Sequence, residues 1–589
     1  MASRGSIEIK DFQKGISDSY LGDFAEIRNI DVYSTAGVAL INKKMAKTTP
    51  EPSTYSAQTF TADAGTDQLT ISSHGFISSG HAVTVSSTGT LPTGLSASTT
   101  YYVIFIDQNT IKLASSLSNL NSLTPINITS AGTGTHSITG IEMKKVLKIV
   151  RNPKRSSANF EFFAVDALQN IWTNFSQTWT LVDGNTAGQG QGIEIWKDYL
   201  FSFINSTIEV FGPLSSITAG TAAWTTSWKS FNTGDALYHP SLIGQDDILY
   251  VGDGFNIMSL SEVTTFDPAS AGTYSFNNNA LDLPSQYRIK CLAELGKNLV
   301  MGTFVGSNEG TTNIADLFFW DRISDSFEFP IQVKEEGINA IISVENLIYF
   351  FAGFDGNVYV TNGVSVDLFK KIPDSLLDRQ QTTEQIEVLP NAIIKVNGRI
   401  YFGLSNEQAG SSETLSPLGI YSLTPDGRLT LEHTISGGND GSSGSVSFGA
   451  LYSKSSKTIY AAYLDASQTP SESAIDLIET SKRYDESEAQ ILTGLIHVSD
   501  NAEEVTLEQT EIYLSKNISS GQSVTVSYRK NLSDSFTEIG SISFSNDGAT
   551  SKKTIRKSIK VSEIQFKIVL DTGLDATDTP ELTRVVLRK

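Results

Sequence analysis

The 589-residue chain carries 39% hydrophobic and 10% aromatic residues, a composition that excludes a disordered chain and, at this length, implies several domains with sizeable cores. It has 43 basic against 64 acidic residues, a net charge of −21, which argues against a general polyanion binder and leaves room only for local basic patches. The 46 glycines and the abundance of Ser and Thr favour strands and turns over helices.

In chain order, the opening MASRGSIEIKDFQKG lacks the apolar core of a signal peptide, and no run of about 18 apolar residues follows, so neither a secretion signal nor a membrane span is expected. Residues 1–54 read as an N-terminal arm in which the strand-like stretch Phe24 to Met45 is a candidate propeller-closing strand, with its counterpart near Ala450 to Asp465. Residues 55–141 are Ser/Thr/Gly-rich, with alternating apolar positions in QLTIS, HAVTVSS, YYVIFID and THSITG. This pattern predicts a small antiparallel β domain inserted into the chain.

Residues 142–490 carry a repeat. Short apolar strands anchored on Phe162, Leu200, Leu249, Leu299, Ile348, Ile400 and Ile459 follow one another at steps of 38, 49, 50, 49, 52 and 59 residues. Each is flanked by further short strands and polar turns, which predicts the blades of a six- or seven-bladed β-propeller. Helical composition is confined to Asp374–Val388 and Ser471–Ala489, read as excursions between blades. Residues 491–589 alternate cleanly in SVTVSYRK, EIQFKIVLD and LTRVVLRK, predicting a C-terminal β-sandwich and completing an all-β chain.

Chemistry is sparse. The single cysteine, Cys291, excludes an intrachain disulfide and reads as a small core residue. Of His74, His81, His136, His239, His433 and His497, only the first two are close in sequence; both are expected on turns rather than on a metal. Asp253, Asp316, Asp321 and Asp355 could supply the carboxylate pair of a propeller glycosidase. Asp253-Gly254 and Asp355-Gly356 have the simpler reading of turn residues, and repeated sialidase-type turns are missing. The six tryptophans, Trp172, Trp179, Trp196, Trp224, Trp228 and Trp320, could form a sugar platform but are expected to pack between blades. No catalytic, cofactor-binding or metal-binding residue is assigned, no cofactor is implied, and the chain is expected not to be an enzyme. A basic cluster, MKKVLKIVRNPKR from Met143 to Arg155, is expected to approach NKKMAK at Asn42–Lys47; it reads either as a docking patch or as Lys-protected strand edges.

The segment LPTGLSASTTYYVIFIDQNTIKLASSLSNL followed by INITSAGTGTHSIT resembles a small β module that recurs in structural proteins of tailed bacteriophages. FQKGISDSYLGDFAEIRNIDVYSTAGVALINKKM is similar to the start of phage tail proteins of the nozzle or tail tubular type. The resemblance implies a structural virion protein of the tail, assembled in the host bacterial cytoplasm. It implies a ring, of six copies, that extends the DNA channel, contacts the adaptor or portal-side ring and the tail fibres or plug, and takes part in DNA retention and ejection. DNA would pass without sequence recognition. The alternative reading is a tail-tip adhesin that binds host surface glycan.

Overall fold

The computed structural model describes residues 6–17, 24–49, 56–76, 78–153, 161–175, 178–183, 192–215, 223–234, 238–307, 310, 312–372, 386–406, 419–436, 446–455, 458–465, 472–484, 489–498, 503–573 and 577–589. The chain is nearly all β, and its body is a seven-bladed propeller of four-stranded antiparallel sheets. Blade 1 runs from Val146 to Asp183, blade 2 from Gly192 to Ser230, blade 3 from Ser241 to Asp282 and blade 4 from Tyr287 to Val333. Blade 5 spans Ile338 to Lys371, and the four strands of blade 6 lie between Ile393 and Thr434.

Each repeat anchor, from Phe162 to Ile459, lies on the second strand of its blade and is at most 2% exposed. The periodicity exists because that strand is covered on both faces by neighbouring blades, so it must be apolar on both faces. Pairs such as Phe351 of blade 5 and Phe402 of blade 6, with ring centroids 4.7 Å apart, fill the space between blades.

Blade 7 closes the ring with two distant parts of the chain. Its first three strands are Val446–Ser455, Thr458–Asp465 and Glu472–Arg483, and its outermost is Lys43–Lys47. The closing strand therefore pairs with Glu472–Arg483, Met45 opposite Ile478, rather than with the 450–465 stretch one and two strands further in. The expected helix at Ser471–Ala489 is a strand from Glu472 to Arg483. Its Glu, Lys and Arg content suits a helix, but strands pair with it on both sides and Ala474, Ile475 and Asp476 are all buried, so tertiary pairing overrides a weak propensity. Most of the other expected helix, residues 374–385, lies outside the described residues; Ile386–Glu387 forms a short strand with Ser405–Asn406.

Phe24–Arg28 has a different role. It lies beside the outer strand of blade 6, with Arg28 parallel to Leu431, and pairs antiparallel with Gln490–Thr493 through Ile27 and Ile491. Gln490–Thr493 in turn pairs with Glu563–Asp571 of the C-terminal sandwich, so one hydrogen-bonded sheet runs from the propeller axis into the sandwich. The second sandwich sheet contains Val505–Leu514, Lys552–Val561 and Leu582–Arg588, and borrows Ser6–Ile9 from the N-terminus. Leu507, Ile512, Val585 and Leu587 of that sheet belong to the same core as Val526, Phe566 and Ile568 of the first.

The insert is a closed six-stranded barrel, Gln58–Asp63, Gln68–Thr70, Ala82–Ser87, Tyr101–Asp107, Thr110–Ala114 and His136–Gly140. Closure removes every edge, which suits a small domain rich in Ser and Thr. Phe60, Leu69, Val83, Val103, Ile111 and Ile138 fill its interior. An outer apolar face of Ala82, Tyr102, Ile104 and Leu120 shares a core with Trp172 and Trp179 of blade 1 and Ala462 and Ile475 of blade 7.

Candidate functional site: the axial cavity

The seven blades gather their inner strands around one axis, and the axis holds a cavity of about 400 Å³. Its wall includes Lys145 and Lys148 of the segment entering blade 1, Tyr238 and Ser241 at the start of blade 3, Lys290 of blade 4, and Glu387 and Asn391 ahead of blade 6. The inner strands of four blades step out of register at corresponding places: Leu147 in blade 1, Lys290 in blade 4, Asn339 in blade 5 and Gly449 in blade 7 are each skipped by the pairing. Such bulges bend a strand and re-aim its side chains. At Gly449 a Cβ would stand 1.8 Å from the Val146 carbonyl oxygen, so only glycine lets blades 7 and 1 meet there.

The bulges bring charged groups to the axis. Lys290 is 1% exposed, and its Nζ donates to Asn339 Oδ1 at 3.1 Å and stands 3.5 Å from Glu387 Oε2. It also lies over the Tyr238 ring, 5.4 Å from the centroid. Asn339 is itself fixed, its Nδ2 donating to the Gly353 carbonyl at 2.6 Å. On the other side Lys148 Nζ donates to Glu194 Oε2 and to Ser241 Oγ, both at 2.8 Å, linking blades 1, 2 and 3. A buried ammonium is tolerated when a carboxylate and neutral oxygens satisfy it, and both lysines meet that condition.

The sequence singled out Lys145 and Lys148 only as members of a basic cluster. The cluster is not a continuous patch: Lys43–Lys47 is the outer edge of blade 7, whereas Val146–Arg151 is the inner strand of blade 1. Lys47 pairs with Glu472, Lys144 with Glu142 at 2.5 Å and Arg151 with Glu161 at 3.5 Å, and residues 154–155 lie outside the described residues. Sequence reading missed Lys290 and Glu387. The available signal was a lysine inside the apolar strand Tyr287–Leu295, YRIKCLAEL. Cys291 beside it is buried, 3.6 Å from the Ile338 carbonyl.

None of the four candidate glycosidase carboxylates lines the cavity. Asp253 is buried in the blade 3 hairpin and accepts from the Thr233 amide at 2.7 Å, with Gly254 at φ 63° turning the chain. Asp316 lies near the start of the third strand of blade 4, Ala315–Trp320, and Asp321 in the turn just past its end. Asp321 accepts the Ile323 and Ser324 amides, which holds its carboxyl below the usual range. Asp355 is exposed at a blade 5 turn completed by Gly356 at φ 68°. Trp172, Trp179, Trp196 and Trp320 are buried and Trp224 and Trp228 half-buried, all packed within cores.

Among the described residues no group of three His, Cys, Asp or Glu is placed to hold a metal ion. His74 follows a turn, is buried, and has Nε2 2.7 Å from the Asp107 carbonyl while Nδ1 accepts from the Phe76 amide at 3.1 Å. His81, just before a strand, is 4% exposed and packs on Phe76; burial, with a smaller contribution from His74, pushes it down to about 4. His136 spans Ser87 and the Ala131 carbonyl, His239 meets the Asn205 carbonyl, His433 the Lys43 carbonyl and His497 Glu563.

No family model matches the chain, and no curated relative matches it. Solved structures do match, all at low identity. The exo-β-1,3-galactanase of Phanerochaete chrysosporium is 10% identical, with 59% of this chain and 95% of that one covered at a TM-score of 0.26. The β-propeller domain of Cps50 (Swd1) from Myceliophteria thermophila is 11% identical, covering 57% and 97% at a TM-score of 0.35. BamB from Moraxella catarrhalis is 10% identical, covering 57% and 98% at 0.31. These likenesses concern fold alone.

Proposed function

We propose that the protein is a structural, non-enzymatic component of a tailed-phage tail, of the nozzle or tail tubular type. In that role it forms a ring with copies of itself, extends the DNA channel and contacts the neighbouring tail proteins. The observation that carries the reading is the N-terminal arm: within 50 residues it gives a strand to the sandwich, a strand to the sheet joining sandwich and propeller, and the outer strand of blade 7. A chain tied in this way suits a subunit that bears load in a ring whose heterologous contacts close. The resemblance of that same arm and of the inserted barrel to phage tail proteins supports the reading. The net charge of −21 suits a channel past which DNA slides.

Imaging of particles carrying a labelled copy of the chain tests it. The expected result is a single ring of fixed symmetry, about six copies, at the tail. Copies found as trimers on fibres, or no incorporation into particles, would overturn it.

A further inference from the structure

We infer that the outer face of the C-terminal sandwich, along its edge strand Lys552–Val561, docks on the acidic turn end of the propeller in a second copy of this chain. The inference rests on the ring proposed above for its neighbouring copies, and it names the surfaces that meet there.

The strand KKTIRKSIKV has five basic residues and no acidic one, in a chain whose net charge is −21. It is the last strand of its sheet, paired among the described residues with Val505–Leu514 alone. Lys552, Lys553 and Lys560 are engaged by Glu511, Asp547 and Glu504. Arg556 and Lys557 are exposed and make no ion pair among the described residues; Lys557 donates to the Glu538 carbonyl, which leaves its charge uncompensated. Gln509 lies directly opposite both Arg556 and Arg588, so two guanidinium groups flank it on one surface. Glu511 answers two cations, Lys552 and Arg588, and Glu8 another two, Lys10 and Arg584. Glu508, exposed at the bulge beside Gln509, offsets one charge, and the surface remains cationic.

Lysines on an edge strand serve by themselves to prevent edge-to-edge pairing. Here the cations extend to Arg584 and Arg588 on an interior strand, where no edge needs guarding. Like charges held on neighbouring strands repel, and a facing acidic surface turns that cost into attraction.

The same chain carries such a surface. Antiparallel neighbours reverse direction at each turn, so in every blade the turns joining strands one to two and three to four lie at the same end of the propeller. That end collects Asp198 in blade 2, Asp267 in blade 3, Asp321 and Asp325 in blade 4 and Glu345 in blade 5. None of the five makes an ion pair among the described residues. Nearby cations are already claimed, Lys197 and Arg322 by two carboxylates each and Lys297 by Glu328. The sandwich is joined beside blade 6, whereas the acidic turns span blades 2 to 5. The two surfaces are therefore distinct, and a contact between them is heterologous, the kind that closes into a ring. A nucleic-acid backbone fits less well, because Glu8, Glu504, Glu508 and Glu511 are interleaved with the cations and repel phosphate.

Sedimentation velocity of the full chain at low and high salt tests the contact. Self-association is expected at low salt, weakening as salt rises. Arg556→Glu with Lys557→Glu, and separately Asp325→Lys with Glu345→Lys, should each weaken it at least about tenfold. Mixed in equal amounts, the two double variants should associate again, because each reversed surface then meets its reversed counterpart. All four positions are exposed, and Arg556→Gln, a milder change, should cause a smaller loss. A wild type that stays monomeric at low salt, variants that associate like wild type, or a mixture no better than its components would overturn the inference. So would retention of duplex DNA by wild type that Arg556→Glu with Lys557→Glu abolishes while self-association stays unchanged. Incorporation into phage tails is read separately: rings in particles with the variants unaffected would remove this contact and leave the tail reading, whereas restored association in the mixture without incorporation would do the reverse.

Discussion

The barrel meets the propeller through an apolar side-chain face, whereas the sandwich is joined to it by a continuous ladder of main-chain hydrogen bonds. Both attachments bury apolar surface, but they differ in how they can fail. The barrel's first and last strands are neighbours, Gln58 opposite Ile138, so the chain enters and leaves the barrel at nearly one place and the insert is closed on itself. The sandwich cannot be separated in this way, because its sheets depend on strands contributed by the N-terminal arm. Insertion in sequence and independence in structure therefore go together for one region and not for the other.

Breaking the ladder should have the largest effect. Ile27 is fully buried in the linking strand, and Ile27→Asp places a charge between propeller and sandwich. A loss of more than about 4 kcal/mol is expected, seen as failure to fold or as rapid proteolysis between residues 484 and 503.

Acid should next separate the barrel from the propeller. Unfolded His81 takes up a proton near pH 6.5, but within the barrel it does so only near about 4. Its contribution is present above pH 6.5 and is lost as pH falls toward 4, a loss of about 3 kcal/mol confined to the barrel. Asp476 in blade 7 behaves oppositely. Burial raises it to about 6 although Ser436 and Tyr463 donate to it, so blade 7 loses this contribution as pH rises from 3.8 through about 6. Hydrogen exchange of the barrel strands at pH 7 and pH 4.5 should show protection falling there first, and His81→Phe should flatten that dependence.

Excising residues 56–141 and joining the ends by a short Gly-Ser linker should leave propeller and sandwich folded. The melting temperature should fall by a few degrees, because Trp172 and Trp179 lose the face they share with Tyr102 and Ile104. Collapse of the whole chain would show that the barrel is not separable. The smallest effect is expected from Arg584→Ala, which removes the exposed 3.0 Å pair with Glu8 across the borrowed sandwich strand. Less than about 1 kcal/mol should be lost in urea denaturation.

The repeat was legible because it is written in the second strand of every blade, where burial on both faces forces an apolar run. The outer strand of blade 7 was legible only in part: the closing stretch was placed at Phe24 to Met45, but the strand itself, Lys43–Lys47, is polar in composition and its partner lies beyond residue 470. Glu472–Arg483 was misread as helix for a related reason: its strand identity comes from partners at both sides rather than from its own residues. At the axis, Lys145 and Lys148 were visible as charge but not as members of a cavity, because the bulge that re-aims them is a property of pairing register. Lys290 is recognisable only once blade 5 supplies Asn339 and the segment before blade 6 supplies Glu387.

The borrowed outer strand of blade 7 also sets the order of events during synthesis. The Met45 amide is held by the Tyr484 hydroxyl, 439 residues later in the chain. At roughly 5–20 residues per second, Met45 waits roughly 20–90 s on the ribosome before that partner exists. The barrel and blades 1 to 5 can form in that interval, whereas the outer strand of blade 7 waits for its partner and Ser6–Ile9 waits longer still, for Leu582–Arg588 of the sandwich. A nascent chain of this design is most exposed to misassociation through its first 50 residues, and a partner or chaperone acting on it would be expected to act there.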